Sequence, residues 1–231
     1  HGQTKYPLVD KRLRPDLAIL DSDFLRDLPP ALIADTGFDV LTHAIEAYTS
    51  SNAGTIPDLL AQEAFRTAYA CLPASYAGHT EVRLRLHMAS TLAGMAFSQS
   101  GLGLCHAMAH VLGARFHIPH GRLNAILLPA VISSNAPAAQ QKYARLARAA
   151  GLGGSADTIA LRNLKNGLIR LRKDLSLPQT LSQAGAAPAQ VWAATGEIVE
   201  AVLADPCCKT NPVSVEDFQI RRVLEEVTGH F

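Results

Sequence analysis

The sequence predicts a mainly α-helical fold, and three observations carry that prediction. Apolar residues recur at three- and four-residue spacings through nearly all of the chain after residue 29. Glycines and prolines fall between these periodic stretches, where helices stop. Only two short apolar runs near the start, YPLV at 6–9 and LAIL at 17–20, read as strands, and a charged, proline-containing link separates them.

The first helix opens at the proline pair 29–30, after which Leu32, Ile33, Val40, Leu41, Ala44, Ile45 and Tyr48 mark one apolar face. Further helices are predicted over 57–71, 81–99, 104–115, 121–133, 138–150, 156–173, 189–204 and 215–228. Breaks fall at Gly78, at Gly101 with Gly103, at Pro119 with Gly121, and at GLGGS over 151–155. The stretch SQAGAAPAQ at 182–190 reads as a loop, and no internal repeat or low-complexity tract is present.

With 231 residues the chain can bury a substantial core without disulfides or a structural metal, so a bound metal is expected to serve function. Its 21 basic and 20 acidic side chains form no block of one sign, which argues against a nucleic-acid partner or a membrane surface. The four cysteines include the adjacent pair Cys207 and Cys208 but no CxxC spacing, a pattern that fits a reducing cytoplasm. No apolar run approaches the ~20 residues needed to cross a bilayer, and no signal-peptide pattern opens the chain. The first residue is His1 rather than Met, and HGQTKYPLVD reads as the middle of a strand and turn, so a preceding segment is expected to be missing.

Two features carry chemistry. In GFDVLTHAIEA, Asp39 and His43 stand four residues apart, on one helical face, among apolar neighbours. An isolated pair of this kind is more often a solvated i,i+4 contact; here it must sit at the edge of a buried surface. Asp35, one turn earlier, reads better as a helix cap or first-turn acid. The second feature is GLGLCHAMAHVLGARFHIPHGRLNA, residues 101–125, which holds four of the nine histidines. His106 and His110 share a helical face, and His120 follows after the IPHG turn. The segment lacks the glutamate that a zinc-protease helix places after its first histidine. Imidazoles among Leu104, Met108, Val111 and Leu112 are costly to bury unless hydrogen-bonded or bound to a cation. One carboxylate with two or three imidazoles suits Fe2+ or Zn2+ rather than Ca2+ or Mg2+. Spacing alone therefore points to a mononuclear transition-metal site in a helical domain.

The segments GFDVLTHAIEAY, STLAGMAFSQSGLGLCHAMAH and IPHGRLNAILLP resemble the signature segments of the iron-dependent (type III) alcohol dehydrogenases. KYPL, PDLAILD, KYARLAR and TNP fit the same pattern, and the match is closest to the propanol and ethanol dehydrogenases of bacterial diol- and ethanolamine-utilisation microcompartments. The resemblance implies the helical C-terminal domain of the dehydroquinate synthase-like fold at 26–231, with a strand remnant of the missing nucleotide-binding α/β domain at 1–25. It implies Asp39, His43, His106 and His120 as metal ligands and His110 as a proton relay near metal and nicotinamide. Phe97 and Cys207 match positions lining the substrate pocket, whereas His117 matches no motif position and reads as a helix-end residue. Departures from the pattern fall at Val111, at Arg122 with Leu123, and at Val213.

The resemblance further implies Fe2+, with Zn2+ as the alternative, as the metal cofactor, and NAD(H) bound mainly by the absent domain. The reaction implied interconverts short-chain alcohols and aldehydes, in the direction of propanal or acetaldehyde reduction. The partners implied are the small substrate, further copies of the chain in a homo-oligomer, and microcompartment proteins within the cytoplasm. Two other readings stand beside this one: a metal-binding fragment incompetent for hydride transfer, and a zinc-dependent polyol dehydrogenase of the same superfamily.

Overall fold

The computed structural model describes residues 10–13 and 15–229. Among these, the fold consists of α1 (Pro30–Thr49), α2 (Thr55–Tyr76), α3 (Arg83–Ser100), α4 (Leu104–Phe116), α5 (His120–Ala149), α6 (Asp157–Asp174), α7 (Pro188–Ala193), α8 (Thr195–Ala204) and α9 (Asp217–Thr228), with short 3-10 turns between some of them. No strand occurs among the described residues. The expected strand at 17–20 does not form: Leu17 and Ile19 are 75% and 80% exposed, and no strand among the described residues offers a ladder. The other expected strand, at 6–9, lies outside the described residues.

Helix α1 is the axis of the domain. Pro30 starts it, because a missing N–H and a fixed φ cost nothing in the first turn. Phe38, Leu41, Ala44, Ile45 and Tyr48 are then buried against α2, α3 and α5. Two alanine stripes allow this close packing: Ala61, Ala64 and Ala68 on α2, and Ala89, Ala93 and Ala96 on α3 are fully buried. Arg83 at the head of α3 donates to the carbonyls of Leu25 and Arg26, tying the segment before α1 to the bundle. No helix among the described residues is long and apolar enough to cross a membrane.

The helices expected at 121–133 and 138–150 are one continuous helix, α5, with Pro129 and Pro137 inside it. Pro129 has no N–H for the carbonyl of Ala125 four residues earlier. That carbonyl instead accepts from Nη1 of the buried Arg172 on α6 at 3.0 Å, and the carbonyl of Ile126 accepts from the same nitrogen at 3.2 Å. A donor from another helix thus replaces the lost hydrogen bond, which no local pattern around Pro129 announces. The helix expected over 189–204 is in turn divided at Ala194 into α7 and α8.

The start of α5 is pressed against α1. A Cβ on Gly121 would stand 1.9 Å from the Asp35 carbonyl oxygen, so only glycine fits. Asp35 is no cap or first-turn acid, because α1 begins at Pro30 and has already completed a turn there. Its carboxylate is buried and takes the guanidinium of Arg122 in two hydrogen bonds, Nε to Oδ1 at 3.2 Å and Nη2 to Oδ2 at 3.0 Å. This pair explains the departure at Arg122. Gly121→Ala is expected to destabilise the domain by about 2 kcal/mol or more, the cost of forcing packed backbone apart, read from the midpoint of urea unfolding.

Candidate metal centre

Three helices bring the candidate metal ligands and His110 together. α1 presents Asp39, His43 and Glu46 along one stripe; α4 presents His106 and His110; α5 opens with His120 and presents Asn124 one turn later. One ligand atom each from Asp39, His106 and His120 lies within 4.8 Å of the others. Nε2 of His106 and Nε2 of His120 stand 3.4 and 3.5 Å from Oδ1 of Asp39, and Nε2 of His43 stands 3.8 Å from it. The His43 ring stacks between Phe97, at 4.5 Å between centroids, and His106, at 4.4 Å. His110 stacks on His120 with centroids 5.3 Å apart.

Asn124 marks the point on which these atoms converge. Its Nδ2 donates to Oδ1 of Asp39 at 2.6 Å and lies 3.3 Å from Nε2 of both His106 and His120. The Cys105 thiol, 3.6 Å from Oδ1 of Asn124, favours this orientation of the amide. The donor set is imidazole nitrogen with one carboxylate, the chemistry that Fe2+ or Zn2+ accepts. The residues present therefore fit such an ion.

Behind the first ring of residues stands Glu46, which is buried. Its carboxylate accepts from the backbone N–H of Gly103 at 3.0 Å, of Cys105 at 2.7 Å and of His106 at 3.4 Å, and it holds Nδ1 of His106 at 2.6 Å. Oδ1 of Asn211 accepts from the N–H of Leu104 at 3.1 Å. The amides that a helix leaves unpaired at its start are thus met by two distant side chains, because the cap residue Gly103 has none. Gly103 also permits this approach: a Cβ there would stand 2.8 Å from Asn211 and 2.9 Å from Glu46. The proton on Nδ1 faces Glu46, so Nε2 of His106 is the atom turned to the centre.

The electrostatics follow from this geometry. Burial raises the Asp39 carboxyl pKa, but the His106 hydrogen bond and the charges of His43, His106 and His120 outweigh it and hold the group well below the usual carboxylate range. Burial and the neighbouring His106 push His43 down to about 3. Burial opposes charge on His106 too, yet its contacts with Asp39 and Glu46 lift it to about 9.

A second acid, Asp205, holds His110. Its Oδ2 is 2.9 Å from Nδ1 of His110, and its Oδ1 accepts from the N–H of Cys207 at 2.8 Å. Cys207 therefore stands beside His110, while Phe97 lies across the centre against His43. His117 ends α4 in the left-handed conformation, φ 56°, exposed and away from the cluster. Glu46 could have been found three residues beyond His43 on the same stripe, and Asn124 four beyond His120. Asp205 lies 95 residues from His110 and no spacing signals it.

The family model described as "Fe-containing alcohol dehydrogenase family, C-terminal" matches residues 33–228. The chain belongs to the iron-containing alcohol dehydrogenase family. Every residue of the centre falls inside the span shared with this dehydrogenase family. The chain is 44% identical over 230 residues to the 1-propanol dehydrogenase PduQ of Citrobacter freundii, covering 96% of this chain and 62% of that protein. It is 39% identical over 223 residues to the NADPH-dependent butanol dehydrogenase of Clostridium saccharobutylicum, covering 96% of this chain and 58% of the other. The iron-containing alcohol dehydrogenase of Thermococcus thioreducens superposes with a TM-score of 0.87 at 35% identity, over 95% of this chain and 56% of its own. The chain thus spans about three fifths of the length of these two dehydrogenases.

Two outcomes are expected. Glu46→Gln costs about 3 kcal/mol in urea unfolding, since it strips a buried charge from its partners, and weakens metal uptake about 10- to 100-fold by isothermal titration. The second concerns Asp205, whose carboxyl burial raises but whose contacts with His110 and the Cys207 N–H lower further, to a net position below the ordinary value of 3.8. A depressed folded-state pKa stabilises above the unfolded value and is lost as pH falls through the folded one. Thermal melting should therefore show Asp205→Asn less stable than wild type at neutral pH, with the difference shrinking below pH ~4.

Proposed function

We propose that this chain is the metal-binding part of an NAD(H)-linked, iron-dependent alcohol dehydrogenase that interconverts short-chain alcohols and aldehydes, acting chiefly in the reduction of propanal or acetaldehyde. The convergence of Asp39, His106 and His120, with His43 alongside, in a chain of this family supports the reading. When bound, Fe2+ supplies Lewis acidity to the substrate oxygen and NAD(H) carries the hydride. Zn2+ is the alternative that the same donors accept.

The chain's own residues supply the rest. Asp39, His43, His106 and His120 would hold the ion, and with Asp39 the one anion among imidazoles a bound divalent ion would leave net positive charge beside the substrate oxygen. Glu46 holds His106 in the tautomer that turns Nε2 inward. His110, held by Asp205 at Nδ1, exchanges that proton at Nε2 with solvent. Phe97 and Cys207 form walls of the substrate pocket. Dinucleotide binding belongs to residues beyond these 231, since the relatives extend well past the matched span. The resemblance also supports a homo-oligomer in the cytoplasm, with a bacterial microcompartment as its setting.

The same reading makes the 231-residue chain by itself a metal binder that does not turn over, because hydride transfer needs the nicotinamide held at contact distance from the substrate carbon. In a full-length protein loaded anaerobically with Fe2+, propanal should drive NADH oxidation, and His120→Ala should abolish it. His110→Ala should lower kcat about 10²- to 10⁴-fold with little change in KM. NADH titrated into the 231-residue chain should show no saturable binding. Absence of turnover in the loaded wild type would overturn the dehydrogenase assignment, and elemental analysis that finds zinc alone would favour the polyol branch.

A further inference from the structure

Beside the first centre lies a second group of metal-ligating side chains that the dehydrogenase reading leaves without a cation. One nitrogen of His110, one carboxylate oxygen of Asp205 and Sγ of Cys207 all lie within 4.8 Å of one another. They come from α4 and from the 3-10 turn Pro206–Thr210 with its cap residue, segments packed against each other. His110 and Asp205 are largely buried, at 14% and 8% side-chain exposure, and Cys207 is half-buried. We propose that His110, Asp205 and Cys207 form a second, sulfur-containing site for a soft divalent cation of the zinc class, distinct from the N/O centre of Asp39, His43, His106 and His120.

Donor chemistry, spacing and a pinned turn favour a cation here. The donor set of thiolate, imidazole and carboxylate is the one zinc selects, whereas the first centre offers no sulfur. The geometry is close to formed: tetrahedral zinc at about 2.0–2.3 Å from its ligands sets them about 3.3–3.8 Å apart, and Nδ1 of His110 is already 2.9 Å from Oδ2 of Asp205. A few tenths of an ångström of opening suffices there. The short turn is also pinned, because the Cys207 N–H donates to Oδ1 of Asp205 at 2.8 Å and so keeps thiol and carboxylate on one side.

Charge decides compatibility with a first ion nearby. On binding, the Cys207 thiol releases one proton to solvent, and the coordinating His110 nitrogen is unprotonated, with the ring proton on the other nitrogen. A divalent cation with one thiolate and one carboxylate is then a neutral assembly, which adds no repulsion toward an ion at the first centre. The site does not depend on the dehydrogenase reading; where that reading holds, occupancy withdraws His110 from proton transfer.

Cobalt titrated into the 231-residue chain tests this, because Co2+ reports a thiolate ligand through a near-ultraviolet charge-transfer absorption that N/O ligation lacks. The absorption should appear in wild type, vanish in Cys207→Ser and persist in Cys208→Ser. In the unmodified chain, zinc at about ten times its dissociation constant should slow alkylation of Cys207 about tenfold, mapped by peptide mass. No charge-transfer absorption in wild type, its survival in Cys207→Ser, or a Cys207 alkylation rate indifferent to zinc overturns the site. Uptake of cobalt without that absorption supports the first centre alone, so the two assignments fail separately.

Discussion

The carboxylate of Glu46 is the contact on which the rest of the centre depends. It reaches from α1 to the start of α4 and meets three backbone amides and the Nδ1 of His106 at once. An anion at a helix N-terminus is favoured by the helix dipole, so the charge that orients His106 also anchors the helix carrying it. Removing such a charge leaves amides and imidazole unpaired in a buried place, where each is expensive. Stability and ligand geometry are therefore coupled through one side chain that need not touch a metal.

A second constraint sets the register of α5 against α1. Gly121 lets the backbones meet at Asp35, and Arg122 closes the contact by pairing with the Asp35 carboxylate. This places His120, the first residue of α5, opposite Asp39 on α1. Farther along, Arg172 compensates the break that Pro129 would otherwise make, and keeps α5 a single rod. Burial lowers the Arg172 pKa to about 10, still well above neutral pH, so the guanidinium stays charged while it donates to those carbonyls.

At the centre itself the charges are arranged for a cation. The Asp39 carboxyl is held well below the usual carboxylate range, His43 is pushed down, and His106 is lifted by the carboxylates of Asp39 and Glu46. The Asn124 amide adds a donor at the same point. Protons and amide hydrogens thus gather where lone pairs from several elements converge, and a metal ion answers the same demand with fewer partners. The neighbouring His110, Asp205 and Cys207 repeat this logic with a softer donor set.

Much of this was legible in the chain. Periodicity located the main helices because burial on one face imposes a 3.6-residue repeat that needs no knowledge of the partner. The i,i+4 pairs Asp39/His43 and His106/His110 were visible for the same reason, and resemblance added His120, Phe97 and Cys207. What stayed hidden depends on contacts between distant segments. Pro129 falls inside the helix expected over 121–133, but the donor that replaces its lost hydrogen bond, Arg172, lies 43 residues on. Asp35 reads as a cap until Arg122 pairs with it, and the run at 17–20 reads as a strand although nothing among the described residues pairs with it. Glu46 shares the stripe of Asp39 and His43, but the α4 amides it meets are 57 or more residues away, and Asp205 carries no spacing signal toward His110. Local sequence determines which face of a helix is apolar and which residue types it offers; only the packed helices decide which of those groups meet, because hydrogen bonds and charges act over a few ångströms of space and not along the chain.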